Sequence, residues 1–196
     1  MRNLIKMAVI TSLVMTSTLF AATYKIDAAH SDVGFSITHL GISKVKGEFK
    51  DLNGEIKWNG KDDVHNASFK GEIAVNSIDT QNKKRDDHLV SPDFFNANKN
   101  PNITFESKEV KKRFGKLSVI GNLTINGVTK EVKIPVTING PVTDPWGNEK
   151  IGVQGNLTID RKDYGLTWNK TLDKGGVLIG EEVDIVLNIQ GAKINK

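Results

Sequence analysis

The stretch Ile26–Phe49, IDAAHSDVGFSITHLGISKVKGEF, decides the fold of this chain. From Val33 to Thr38, apolar side chains alternate with glycine or hydroxyl residues, which is the period of two of a strand with one apolar face. A turn at residues 40–43 interrupts the alternation, and Val45 resumes it. Two amphipathic strands joined directly form an antiparallel pair, which must bury its apolar face against other elements.

The same alternation recurs along the rest of the chain in about eight strands, and Asn126-Gly127 is its strongest hairpin signal. The segment Thr80–Asn100 departs from it, because a charged run precedes Ser91-Pro92, a pair typical of a helix start. The sequence predicts an all-β fold with a short helical insertion around residues 83–98. Eight such strands either close into a barrel or pack as a sandwich.

The apolar parity of these strands is almost purely aliphatic and aromatic, so a cavity inside a barrel would take a long apolar ligand. The alternative is that these side chains meet and fill the core, as protein interiors usually do. Inward glycines at positions 47, 71, 121 and 155 either leave room or permit close packing of a neighbouring strand. The inward residues are Val33, Phe35, Ile37, Phe69, Ile73, Val75, Phe105, Leu117, Leu123, Ile125, Val136, Ile138, Leu157, Ile185 and Leu187.

The N-terminus is typical of a secretory signal peptide. Arg2 and Lys6 precede an uncharged run from Met7 to Phe20, and small residues follow for cleavage after Ala21. We expect residues 1–21 to be removed and residues 22–196 to form one domain. A membrane anchor is the alternative, although the run is short for a bilayer span. The chain has no cysteine, which excludes a lipoprotein anchor and disulfides. We therefore expect a periplasmic protein.

The charge of the chain argues against nucleic acid as a partner. The full chain has 27 basic and 23 acidic side chains. Removing Arg2 and Lys6 leaves 25 and 23, a net charge of +2. Such weak basicity gives little support to nucleic-acid binding.

The titratable side chains do not form a recognisable catalytic or metal site. The histidines at positions 30, 39, 65 and 88 lack metal-site spacing, so no metal is expected. Asp86, His88 and Ser91 could suggest a hydrolase, but no nucleophile elbow surrounds Ser91. Aspartate and serine at a helix start cap its N–H groups instead. No catalytic residue is expected.

Five ordered blocks of the sequence resemble the YceI-like family. They are Asp27–Phe49, Ile78–Phe95, Asn100–Ser107, Gly121–Lys130 and Arg161–Gly165, and the match runs from about Tyr24 to the C-terminus with spacing kept. The resemblance implies an extended eight-stranded, antiparallel, lipocalin-like β-barrel with a long apolar tunnel. It also implies a periplasmic protein that binds polyisoprenoids, isoprenoid quinone precursors or fatty-acid amides without catalytic activity.

The implied tunnel makes the inward residues a candidate lipid-binding wall. Further candidates for that wall are His39, Phe49, Phe94, Phe95 and Trp168. Lys84 and Arg85 are candidates for contact with a lipid head group through charge-assisted hydrogen bonds, and a solvated loop is the alternative for both.

The function expected from these observations is that of a non-enzymatic periplasmic carrier, which sequesters a long-chain amphiphilic lipid in its tunnel. No cofactor is expected besides this non-covalently bound lipid. A transient contact with a membrane surface is expected, and the chain would act as a monomer or homodimer. The alternatives are a solid-cored envelope-stress module that binds proteins through Thr80–Asn100, and an envelope lipid hydrolase.

Overall fold

The computed structural model describes residues 21–173 and 175–194, so that the predicted signal peptide, apart from Ala21, lies outside the described residues. One α-helix, α1 (Lys83–Leu89), accompanies the strands of this part of the chain, and none of its helices has the length and hydrophobicity of a membrane span. The strands are β1 (Thr23–Ile26), β2 (Asp32–His39), β3 (Ser43–Phe49), β4 (Leu52–Lys57), β5 (Ser68–Ala74), β6 (Ile78–Asp79), β7 (Asn102–Arg113), β8 (Lys116–Ile125), β9 (Val128–Thr143), β10 (Glu149–Asp160) and β11 (Ile179–Lys193).

The strands close into an antiparallel barrel. β1 pairs with β4 on one side and with β11 on the other, which completes the ring β1-β4-β5-β7-β8-β9-β10-β11. β2 continues β1 along β11, and β3 pairs with β2 and leads into β4, so both form long bent strands. The predicted eight-stranded, lipocalin-like barrel is confirmed. The sandwich is wrong because closure of the ring leaves no pair of separate sheets.

The break between β1 and β2 is fastened by Asp27. Its carboxylate accepts hydrogen bonds from Lys150 Nζ at 3.0 Å and Gln190 Nε2 at 3.2 Å, and contacts His30 Nδ1 at 3.1 Å. The Ser31 hydroxyl donates to the Asp27 carbonyl at 2.7 Å and accepts the Gln190 N–H at 2.9 Å. The hydrogen bond from Lys150 lowers the pKa of Asp27. The first sequence block therefore turns the chain and fixes it to β10 and β11.

One end of the barrel is packed solid. Tyr24 is buried there, and its hydroxyl donates to Glu149 Oε1 at 2.6 Å, so the phenol keeps a hydrogen-bond partner. The filled-core alternative therefore holds at this end, which we call the packed end. Its buried residues are Tyr24, Ile56, Trp58, Val64, Ala67, Phe69, Val110, Leu117, Val119, Ile138, Ile151 and Val153.

The helical insertion is shorter than predicted. α1 is capped by Asn82, whose side chain accepts a backbone N–H from its first turn, and it ends at Leu89. The predicted helix start at Ser91 is wrong. The Asn96 N–H bonds to the Ser91 carbonyl at 2.9 Å, but a φ of 49° at Asn96 ends that turn. Residues 90–100 thus form successive turns that leave α1 alone as the helix of this segment.

Candidate functional site

The end of the barrel opposite the packed end is hollow. A cavity of about 600 Å³ lies between the strands and the segment Thr80–Asn100, and small-molecule sites measure roughly 300–1,000 Å³. Inward residues such as Phe35, Ile37 and Ile185 are only half-buried. Their side chains face the cavity rather than one another. This explains why residues on the inward side of the strands are not fully buried.

Most residues predicted for the wall lie in it. Val75, Leu117 and Ile138 do not. Val75 belongs to a 3-10 turn after β5, where the strand period has ended, and Leu117 and Ile138 belong to the packed end. The predicted residues that line the cavity are Val33, Phe35, Ile37, His39, Phe49, Phe69, Ile73, Phe94, Phe95, Phe105, Leu123, Ile125, Val136, Leu157, Trp168, Ile185 and Leu187. Their contact with a lipid stays a prediction.

Two inward glycines let neighbouring aromatic rings pack closely against the backbone. A Cβ added at Gly47 would stand 2.5 Å from the ring of Phe35, and one added at Gly121 would stand 2.7 Å from the ring of Phe105. These glycines therefore accommodate their neighbours rather than enlarge the cavity. The rings of Phe35 and Phe105 remain in the wall, where they shape its apolar surface.

Gly71 is the inward glycine that leaves room. A Cβ added there would find its nearest atom, the carbonyl oxygen of Asn53, at 3.9 Å. At Gly155, by contrast, a Cβ would meet the carbonyl oxygen of Pro135 at 3.1 Å. The wall of the cavity thus lacks a side chain at Gly71, and this absence helps to keep the barrel hollow.

The mouth of the cavity is the opening lined by His39, Lys84, Arg85, His88 and Trp168. An aromatic cluster flanks this mouth. The ring of His88 lies 4.8 Å from that of Trp168 and 5.0 Å from that of Phe94, and Phe94 lies 5.3 Å from Trp168. These contacts join the segment that contains α1 to the segment after β10. The two segments therefore form one side of the mouth together.

The two predicted head-group residues differ in their surroundings, although both line the cavity. Arg85 Nε donates to the hydroxyl of Thr80 and Nη2 to the carbonyl of Thr80, both at 2.7 Å. Lys84 is exposed at the rim. Two nitrogens of Arg85 are thus bonded within the segment Thr80–Asn100, whereas Lys84 extends into solvent at the mouth.

Arg161 is a wall residue that the sequence reasoning missed. It is 3% exposed, and its Nε donates to the carbonyl of Gly180 at 2.8 Å while Nη1 donates to the carbonyl of Leu166. Burial lowers its pKa. The signal was available, because the inward series Leu157, Ile159 leads to Arg161 two residues later.

The candidate catalytic and metal residues take part in local contacts. Asp86 Oδ1 accepts the N–H of Thr80 at 3.0 Å and its hydroxyl at 2.5 Å. His88 Nε2 lies 3.0 Å from Asp93 Oδ2. Within residues 21–173 and 175–194, no three His, Asp or Glu side chains come close enough to hold a metal ion. Asp86 and His88 therefore organise the segment around α1.

A closed antiparallel barrel that is packed at one end and hollow at the other defines the class of lipocalin-like β-barrels. Within that class the chain belongs to the YceI-like domain family, whose model matches residues 24–191. The resemblance carried by the five sequence blocks is therefore confirmed.

Relatives and solved structures agree with this assignment. A UPF0312 protein of Pseudomonas aeruginosa is 38% identical over 194 residues, which cover 98% of either chain. BcnA of Burkholderia cenocepacia superposes with a TM-score of 0.72 at 26% identity, covering 84% of this chain and 98% of BcnA. A polyisoprenoid binding domain from Saccharophagus degradans, implicated in plant cell wall breakdown, superposes with a TM-score of 0.68 over 89% of this chain and 99% of that domain. At 16% identity it shows the fold alone.

Proposed function

We propose that this protein is a non-enzymatic binding protein that sequesters one long-chain amphiphilic lipid in its barrel. The observation that carries the proposal is the cavity of about 600 Å³ with a mainly aliphatic and aromatic wall. Each buried methylene contributes about 0.8 kcal/mol, so ten of them contribute roughly 8 kcal/mol before the entropic cost of binding. An apolar tail thus gains affinity without a directional polar contact.

The ligand class that we propose is a polyisoprenoid or a lipid with a comparable tail, such as a fatty-acid amide. The Saccharophagus degradans neighbour is named for polyisoprenoid binding, and it guides the choice of probe. Contacts with an apolar tail depend on area rather than direction. We therefore expect broad tolerance of tail structure.

Binding without turnover suits the distribution of polar groups. Near the mouth, Thr80, Arg85 and Asp86 hold one another through hydrogen bonds. The inward side chains of the deep wall, such as Phe69 and Leu123, are apolar, and the neighbouring Lys70 and Glu72 stand on the opposite parity of β5. We propose that the protein shields the tail from water and returns it unchanged.

We propose that the protein acts in the periplasm, after removal of residues 1–21, and meets a membrane surface with its mouth. Ile42, in the turn between β2 and β3, is 84% exposed, and Leu40 beside it is 38% exposed. The Leu40 N–H bonds to the carbonyl of Leu178, a wall residue, at 2.9 Å. These apolar side chains next to the mouth would touch the membrane while a lipid passes. One chain suffices for binding, and the oligomeric state stays a prediction.

The experiment is extraction of bound material from the purified mature chain. Residues 22–196 are produced in a bacterial periplasm, purified without detergent, extracted with organic solvent and examined by mass spectrometry. A long-chain lipid in near one-to-one amount is expected, and protein stripped of lipid should take up added geranylgeraniol. Recovery of no lipid, together with no uptake of geranylgeraniol or a fatty-acid amide, would overturn the proposal.

A further inference from the structure

One positive charge is buried in the wall of the cavity. Arg161 directly follows β10, and its Nε holds the carbonyl of Gly180. Gly180 adjoins Ile179, which pairs with His39 at the mouth, so Arg161 lies toward this end. The 3-10 turn Arg161–Tyr164 is capped by the Asp160 side chain. The backbone around Arg161 is thus fixed before any ligand binds.

Two of the three guanidinium nitrogens of Arg161 make hydrogen bonds. Nε and Nη1 donate to the carbonyls of Gly180 and Leu166, but Nη2 is buried and has no hydrogen-bond partner among the described residues. A guanidinium carries five N–H donors in a planar fork, and buried donors are nearly always paired. Nη2 of Arg161 is therefore a buried donor that still lacks an acceptor among the described residues.

Among the described residues, no carboxylate makes a hydrogen bond with this guanidinium. Asp160 and Glu181 influence the pKa of Arg161 only through space. Glu181 is paired instead with Lys162 Nζ, and Asp160 accepts the Lys162 N–H at 2.8 Å. Within the part of the chain that the structure describes, the charge of Arg161 thus lacks a direct partner, although buried charges usually have one.

More of the charged residues that line the cavity are basic than acidic. Lys84 and Arg85 line the cavity together with Arg161. Among the described residues of the wall, the one acidic residue is Glu72, which is exposed on the outward parity of β5 next to Gly71. The wall thus carries an excess of positive charge, and Arg85 is already bonded to Thr80.

We propose that Nη2 of Arg161 binds the polar end of the lipid and that this end is an oxyanion, either a carboxylate or a phosphate. An oxyanion accepts charge-assisted hydrogen bonds from a guanidinium and supplies the missing counter-charge. The tail then extends from Arg161 past Leu157 toward Phe69, where the packed end begins. This assignment rests on the proposed function, because it needs a lipid tail in the cavity.

The test compares twelve-carbon ligands that differ only in their polar end. Dodecanoate, dodecyl phosphate and dodecanol are titrated into the lipid-free mature chain by calorimetry below their micelle concentrations. We expect each anion to bind at least tenfold more tightly than dodecanol. The Arg161→Gln variant should bind the two anions no more tightly than dodecanol. In the control variant Lys44→Gln, which removes a positive charge outside the barrel, the preference should remain.

The outcomes separate this assignment from the proposed function. Equal binding of all three ligands by the wild-type chain would overturn the role of Arg161 and leave lipid binding intact. Loss of the preference in Lys84→Gln but not in Arg161→Gln would place the polar end at the rim and overturn it as well. Binding of none of the three ligands would overturn both.

A second measurement covers an Arg161→Gln variant that fails to fold. The carboxyl carbon of [1-¹³C]dodecanoate bound to the wild-type chain is followed by NMR as the pH is lowered. Beside Arg161, the bound carboxyl should titrate at a lower pH than free dodecanoate, because a guanidinium stabilises the ionised form. A bound carboxyl that titrates at the same or a higher pH would overturn the proposal.

Discussion

Gly71 controls the room available inside the barrel. We predict that Gly71→Leu fills the cavity, because a Cβ added there finds its nearest atom at 3.9 Å and lies on the inward parity between Phe69 and Ile73. Uptake of a fluorescent fatty acid should fall at least tenfold, because the leucine takes the volume that the tail needs.

Gly34 supplies the matched control for this substitution. It lies within β2, and a Cβ added there also finds its nearest atom, the carbonyl oxygen of Gly47, at 3.9 Å. Its parity, between Val33 and Phe35, directs the new side chain outside the barrel. Gly34→Leu should therefore bind like the wild-type chain. Equal loss in both variants, or no loss in Gly71→Leu, would contradict an internal binding site.

Asp27 makes the stability of the barrel depend on pH. Lys150, the main cause, lowers the pKa of Asp27 below its ordinary value of 3.8. A carboxylate with a lowered folded-state pKa stabilises the protein above its unfolded pKa, and this contribution is lost as the pH falls through the folded value. Asp27→Asn should cost about 1–2 kcal/mol of unfolding free energy at pH 7 and progressively less below pH 3.8.

Denaturant unfolding at pH 7 and in acid checks this prediction. Asp51→Asn, at an exposed position between β3 and β4, is the control and should stay within about 0.5 kcal/mol of the wild-type chain. The free energies of unfolding of Asp27→Asn and the wild type could differ by the same amount at both pH values. That result would show that the charge of the carboxylate contributes nothing to stability.

Among the structural elements, the two segments that flank the mouth should respond to an occupant. Trp168 lines the cavity, whereas Trp58 is buried at the packed end and Trp146 is 84% exposed. Lipid uptake should shift the tryptophan emission to shorter wavelength, because the tail excludes water around Trp168. The shift should persist in Trp146→Phe and largely vanish in Trp168→Phe. A full shift in Trp168→Phe would place the ligand elsewhere.

The elements show where sequence reasoning succeeds. The strands followed from the period of two, because alternation is a property of the local chain. The helix start predicted at Ser91 failed, because proline and serine favour a turn as readily as a helix, and the left-handed conformation of Asn96 decided between them. Val75 was misplaced because a 3-10 turn ended the strand period one residue earlier than the pattern suggested.

At the scale of the whole molecule, the cavity could not be predicted from the alternation of inward and outward residues. Leu117 and Leu123 share a strand and a face, yet Leu117 is packed at the solid end and Leu123 lines the cavity. The difference arises from what lies across the barrel, where β2, β3 and the segment after β6 widen one end. Such contacts join residues distant in sequence, so the pattern of one strand does not contain them.

A ligand inside the barrel should stabilise the whole fold. A ligand that binds only the native state at 100 times its Kd adds about 2.7 kcal/mol, which corresponds to a rise in Tm of about 5–10 °C for a domain of this size. Differential scanning calorimetry with geranylgeraniol measures this rise. The five-carbon alcohol prenol has the same hydroxyl end and a short tail, so it should leave Tm unchanged. An equal effect of both alcohols would contradict recognition through the tail.

The most direct test is a crystal structure of the mature chain grown with geranylgeraniol. We predict continuous electron density for the isoprenoid tail inside the barrel, from the mouth beside Trp168 toward Phe69 and past Gly71. An empty cavity in crystals that contain the lipid, or density for the lipid on the outer face of the strands alone, would contradict the account.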